Sequence, residues 1–246
     1  MFSKKLVGTL VVLAATAVVP AAGATPDPGG ILDPDQVELP NVPLRVCDGK
    51  LATIVSTGDP LIVGTGGDDV IVGSANADVI QGKGGNDTVC GEEGEDELHG
   101  NNGDDDLFGG SDSNQIKGGR GADDLVGGTS TDVLKGGRDN DDLLGAAGDD
   151  ELYGGRGNDS VFGQPGDDFA TGEQGRDDVR GNQDNDHVRG GAGDDLSLTG
   201  GDNDDTVNGG RGSDRVCHGG ELPGAEDIDG IPDVDTVRRC EVPLQP

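Results

Sequence analysis

From Gly64 to Cys217 the chain repeats one nine-residue unit seventeen times: Gly, two variable residues, a turn-former, a variable residue, Asp, a variable residue, an apolar residue and a variable residue. Gly82–Cys90 and Gly154–Phe162 are clear copies. The period runs unbroken to Gly190, then resumes at Gly200 and Gly209 after a one-residue slip at Thr199. Position one is Gly in all seventeen copies, and position six is Asp in sixteen, with Asn114 the exception. A unit this short cannot bury an apolar face alone, so the copies must stack into a solenoid in which each turn supplies its neighbour's core.

Each unit divides into a turn and a short strand. Position four favours residues that tolerate positive φ: eleven Gly, Asn76, Asn203, Asp112, Asp139 and Asp184, with Ser130 outside that set. Position eight is the inward strand position. It runs from Ile71 to Val216 and is aliphatic except where it thins at Ala170 and Ser197. One apolar side chain in nine residues does not offset the entropy of ordering nine backbones. A second source of stability is required, and position six supplies it. Calcium takes six to eight oxygens from carboxylates and peptide carbonyls, and parallel stacking brings successive turns to about 4.8 Å. The candidate ligands are Asp69, Asp78, Asp87, Asp96, Asp105, Asp123, Asp132, Asp141, Asp150, Asp159, Asp168, Asp177, Asp186, Asp195, Asp205 and Asp214.

Composition agrees. The chain has 49 acidic against 17 basic residues and a formal charge of −32. Without the periodicity such a composition describes a disordered chain, and disorder is the expected metal-free state. This acidity disfavours nucleic acid and anionic membranes as partners and favours cations.

These residues resemble the RTX, or hemolysin-type, calcium-binding repeat over residues 64–217, and especially short exported proteins built from such repeats. The resemblance implies an all-β fold, a right-handed parallel β-roll (β-solenoid) with two repeats per turn. It also implies Ca2+ held between turns by the position-six Asp and loop carbonyls, with repeat n sharing ions with repeat n+2. Seventeen repeats would offer up to about fifteen sites, whose charge would nearly balance the chain's own. In such a solenoid Cys90 and Cys217 lie seven turns apart, roughly 33 Å, far beyond the reach of a disulfide. Of the three pairings of Cys47, Cys90, Cys217 and Cys240, only Cys47–Cys90 with Cys217–Cys240 avoids that span.

The remaining segments divide as follows. Residues 1–24 read as a signal peptide: Lys4 and Lys5, an apolar run from Leu6 to Val19, and Ala22-Gly23-Ala24. The expected location is therefore secreted, extracellular or bound to the cell envelope. Residues 25–54 form a Pro-rich arm, 55–63 a degenerate capping repeat with Pro60 in place of the liganding Asp, and 218–246 an insertion, a last degenerate repeat and a C-terminal cap. Position nine adds an 18-residue period. In odd-numbered repeats it is mostly apolar, giving an outward stripe of Val72, Phe108, Val126, Leu144, Phe162 and Leu198; in even-numbered ones it is mostly polar. The stripe is a candidate partner surface. The chain contains no motif of a metalloprotease, serine hydrolase or phosphate-binding loop. The expectation is a non-catalytic calcium-binding structural module, with an adhesin as the alternative and a calcium-activated hydrolase less favoured.

Overall fold

The computed structural model describes residues 45–214, 217–218 and 236–238. The expected signal peptide, residues 25–44 of the arm, Val216 and Cys240 lie outside these. Among the described residues there is no helix, and all but two strands belong to two ten-stranded parallel sheets. The first sheet runs from Ile54–Val55 through Val70–Val72 and Thr88–Glu92 to Cys217–His218. The second runs from Leu61–Val63 through Val79–Gln81 and Glu97–Asn102 to Thr236–Arg238. The chain crosses between sheets once per repeat, so strands that pair come from repeats n and n+2. Leu125, for example, lies opposite Leu107 and Leu143. The result is a right-handed β-roll, the hand that parallel crossovers take.

Position eight fills the space between the sheets. A single column from Ile62 through Ile71, Leu98, Leu134 and Val161 to Val207 is almost wholly removed from solvent. Ile62, from the degenerate segment, extends that column and pairs in register with Ile80. At the other end Val237 lies opposite Val207.

One register expectation is corrected. The extra residue sits at Leu196, not at Thr199: Ser197 pairs with Asp178, Leu198 with Val179 and Thr199 with Arg180. Leu196 is displaced into solvent at 40 % exposure, while Leu198 is fully buried in the core. The slip thus buries a leucine where strict periodicity would bury Ser197, the choice that hydrophobic burial favours. Leu198 therefore leaves the predicted outward stripe. The last turn keeps the nonapeptide's pairing of Leu198 with Cys217, and Thr199 pairs with His218 beyond it.

The rest of the stripe is a true ladder. Val72, Cys90, Phe108, Val126, Leu144 and Phe162 succeed one another in register on the outer face of the first sheet. Val72 is fully buried, whereas Phe108, Val126, Leu144 and Phe162 are half-buried. A short hairpin, Val46–Cys47 paired antiparallel with Lys50–Leu51, packs on Val70–Val72 and Thr88–Glu92. It is held by a disulfide between Cys47 and Cys90, with Cα atoms 5.8 Å apart. Arg45 donates to the Gly73 carbonyl, and Lys50 reaches Thr88 and Asp106.

Candidate metal centre

The loops lie along the two edges of the roll, and the position-six carboxylates point into them. All sixteen predicted aspartates, Asp69 to Asp214, are buried, as is Asn114. From Asp87 to Asp214 each is tied to the turn before it. Its Oδ1 accepts a hydrogen bond from the backbone N–H of the position-six residue one turn earlier: Asp69 to Asp87 at 2.9 Å, Asp123 to Asp141 at 3.0 Å, Asp168 to Asp186 at 2.9 Å. The second oxygen is treated differently. In each Asp from Asp87 to Asp195, and in Asp214, Oδ2 is buried and no protein donor reaches it. A buried carboxylate oxygen without a donor is costly. Repeated turn after turn, it marks a place where something else must supply positive charge.

The always-glycine position one explains the space around that oxygen. A Cβ on Gly136 would lie 2.4 Å from Asp141 Oδ2 and 2.6 Å from the carbonyl oxygen of Gly154 in the next turn. On Gly127 it would meet Asp132 Oδ2 at 2.6 Å and the Gly145 carbonyl oxygen at 2.7 Å. A carboxylate oxygen and a peptide oxygen from successive turns thus converge beside these glycines, as they do beside Gly91, Gly145 and Gly190, and only glycine leaves room for them. Hard oxygen donors of this kind suit calcium rather than a soft metal. Among the described residues no three acidic, His or Cys side chains converge, so the donor set is carboxylate plus backbone, as in other oxygen-rich loops. Calcium, when bound, supplies the charge that these carboxylates lack.

Burial also perturbs the acids. It pushes Asp141 and Asp186 up to about 8 and Asp123, Asp150, Asp159, Asp168 and Asp195 up to about 7. Asp87, Asp96, Asp132 and Asp177 rise to about 6, and Asp105 is raised as well. In each, desolvation is the leading cause, and the backbone hydrogen bond from the preceding turn opposes it. Neighbouring carboxylates add to the rise at Asp141, from Asp123 and Asp159. This is the electrostatic signature of a site built for an absent positive charge.

These loops carry the RTX pattern in three dimensions. The model of the RTX calcium-binding nonapeptide repeat matches successive blocks from residue 63 to residue 220, more than half of the chain. The chain belongs to the RTX calcium-binding repeat family. It has no match among curated proteins.

Four features of this RTX site lay outside the sequence reading. The first concerns the first two repeats, where position two is Thr65 or Ser74. There the backbone N–H and the hydroxyl both donate to Oδ2 of the repeat's own aspartate: Thr65 to Asp69 at 2.7 and 2.9 Å, and Ser74 to Asp78 at 2.7 and 2.9 Å. The second is a ladder at position five. Oδ1 of Asp68, Asp104, Asp149 and Asp167 each accepts from a backbone N–H one turn later. The position-five side chain thus clamps the adjacent turn. The third is conformational. Position four is left-handed at Asp139, Asp184 and Asn203 as expected but not at Asn76, Asp112 or Ser130, while position two is left-handed at Lys83, Glu92, Ala146 and Gln164. The fourth is Asn114. Its Oδ1 accepts from Asp96 N–H and its Nδ2 donates to the Asp112 carbonyl, so the amide satisfies itself where an aspartate would not.

Proposed function

We propose that this calcium-binding β-roll is an exported, non-catalytic protein whose folding is coupled to Ca2+, serving as a structural or surface-associated module. The observation that carries the reading is the column of buried Oδ2 atoms from Asp87 to Asp195 that no protein donor reaches. The ligands are Asp87 to Asp214 at position six, each joining two turns, together with loop carbonyls. Export, suggested by the basic and apolar N-terminal segment, delivers the chain to an oxidising, calcium-rich compartment, where the Cys47–Cys90 disulfide persists. The acids of the loops are committed to holding turns together, which leaves them no catalytic role. Isothermal titration with calcium chloride, paired with far-ultraviolet circular dichroism, tests the reading: binding of many ions per chain together with a gain of β structure supports it. Binding of magnesium and calcium with equal affinity, or of neither, contradicts it.

A further inference from the structure

The two sheets present opposite faces. Of the lysines and arginines between Gly100 and Arg211, only Arg176 and Arg180 lie off the second sheet. That sheet sets Lys117 in register with Lys135, and Arg120 with Arg138 and Arg156. The first sheet sets Asp106, Asp124 and Asp142 in register at position seven, beside the half-buried apolar ladder. Like charges directly opposite one another in a sheet are destabilising. Yet Lys117, Lys135, Asp124 and Asp142 are all exposed, and among the described residues none has an ion-pair partner. The fold relieves the basic column only in part, where Lys135 lies over the Tyr153 ring at 5.5 Å, and no ion pair relieves Asp124 or Asp142 among the described residues.

We infer that the outer face of the first sheet is the docking surface for the second sheet of another copy of this chain, forming laterally stacked β-rolls in calcium. The inference rests on the calcium-folded roll described above. Strands of the two sheets run in opposite directions across the roll, and both turn position eight inward. A second copy displaced by simple translation therefore lays its position-nine column, Lys117 and Lys135, over the position-seven column, Asp124 and Asp142. In that register its position-seven residues Gln115 and Val133 cover Val126 and Leu144, while Glu151 falls over Phe162, whose ring Arg180 already caps. Both columns share the strand pitch of about 4.8 Å, so one matched pair brings the others into line. The head of the acidic column already shows the contact in miniature, because Lys50 of the N-terminal hairpin sits on Asp106 at 2.8 Å. A simple polyanion would satisfy the basic column alone and leave the acids and the apolar ladder uncovered. A second copy meets both charged columns and covers Val126 and Leu144 as well. Because the two faces differ, the contact is heterologous and does not close, so it extends to further copies.

Sedimentation velocity in millimolar calcium tests this, with circular dichroism of the same samples. The wild-type chain should grow beyond a monomer as concentration rises toward roughly 100 µM, and salt at about 1 M should reverse the growth. The variants K117E/K135E and D124K/D142K should each fold and stay monomeric. Mixed in equal amounts, they should associate again and grow as alternating copies, since the unaltered faces complement each other and so do the two reversed ones. The milder K117Q/K135Q should weaken association by about tenfold. A wild-type chain that folds in calcium but remains a monomer overturns this inference alone. So does association of either charge-reversed variant by itself as strong as wild type. A wild-type chain that gains no β structure in calcium overturns the calcium reading along with it.

Discussion

The first two loops and the loops from Gly82 onward use the same aspartate in opposite ways. In the first two, Thr65 and Ser74 close over the carboxylates of Asp69 and Asp78 with two hydrogen bonds each. Beyond them position two is Lys83, Glu92, Asn101 and then mostly glycine, and Oδ2 of the aspartates from Asp87 to Asp195 meets no protein donor. A carboxylate with its own donors carries little need for an ion, and one without them depends on it. The array therefore starts on two self-satisfied loops, one turn of the roll, and continues as turns that rely on metal. The disulfide-tied hairpin lies over the same start, at Val72 and Cys90. Metal-independent contacts are concentrated where the solenoid begins, which is where an exposed end would otherwise fray.

Breaking the glycine geometry gives the largest effect and shows what the two regions share before they differ. Gly136→Ala places a methyl group against Asp141 Oδ2 and the Gly154 carbonyl, so it should cost about 3 kcal/mol or more of calcium-state stability. Gly64→Ala, at the same position of the first loop, meets the Gly82 carbonyl oxygen at 2.4 Å and should cost a similar amount, whereas Gly66→Ala, at position three, meets nothing within 4 Å and should be close to neutral. Thermal unfolding in calcium measures all three. A loss at Gly66 equal to that at Gly136 would contradict the special role of position one.

Removing the carboxylates comes next. Asp141→Ala should lower overall calcium affinity by about tenfold or more, since it takes a ligand from two adjoining turns. Asp78→Ala should cost about 1 kcal/mol, the loss of ordinary hydrogen bonds, with calcium stoichiometry unchanged. Calorimetric titration of the two variants side by side distinguishes these outcomes.

Acid offers a third test, on the metal-free chain. Asp141 and Asp186 have folded values of about 8 against an ordinary value of 3.8. A raised folded value means that the stability these groups permit is fully present below about pH 4 and is lost as pH rises through about 8. In excess chelator the chain should accordingly gain β structure on acidification from pH 9 to pH 4. Circular dichroism that stays flat across this range would contradict the assignment. The smallest effect is expected from Thr65→Gly with Ser74→Gly, which removes the loop hydroxyls. If hydroxyl closure keeps Asp69 and Asp78 from needing metal, the double variant should bind about one further ion or two.

Most of this architecture was legible in the sequence because one period dictates it. The glycine at position one, the aspartate at six and the aliphatic residue at eight led to the parallel roll, the core column and the buried carboxylates, and the distance between Cys90 and Cys217 led to the Cys47–Cys90 pairing. What was not legible depends on contacts between turns. Placing the slip at Thr199 or at Leu196 leaves the nonapeptide equally intact, and only the competition between Ser197 and Leu198 for the core decides it. The left-handed position two left a signal in glycines such as Gly110 and Gly137 and in Asn101 and Asn182, but Lys83, Glu92, Ala146, Gln164 and Glu173 interrupt it with side chains that carry none. The closure of the first two loops did leave a trace, since Thr65 and Ser74 are the two hydroxyl residues at position two in the array. The charge difference between the sheets was also present in the 18-residue period, but it shows only when positions three and seven are read together with nine.

The central claim is that the interior turns are completed by calcium, and a calcium titration of the metal-stripped chain followed by far-ultraviolet circular dichroism at pH 7.5 tests it most directly. The account predicts a largely unordered spectrum in excess chelator, and a cooperative rise of β signal over a narrow span of calcium concentration, because each ion joins two turns. Full β content in excess chelator, unchanged on adding calcium, would contradict it.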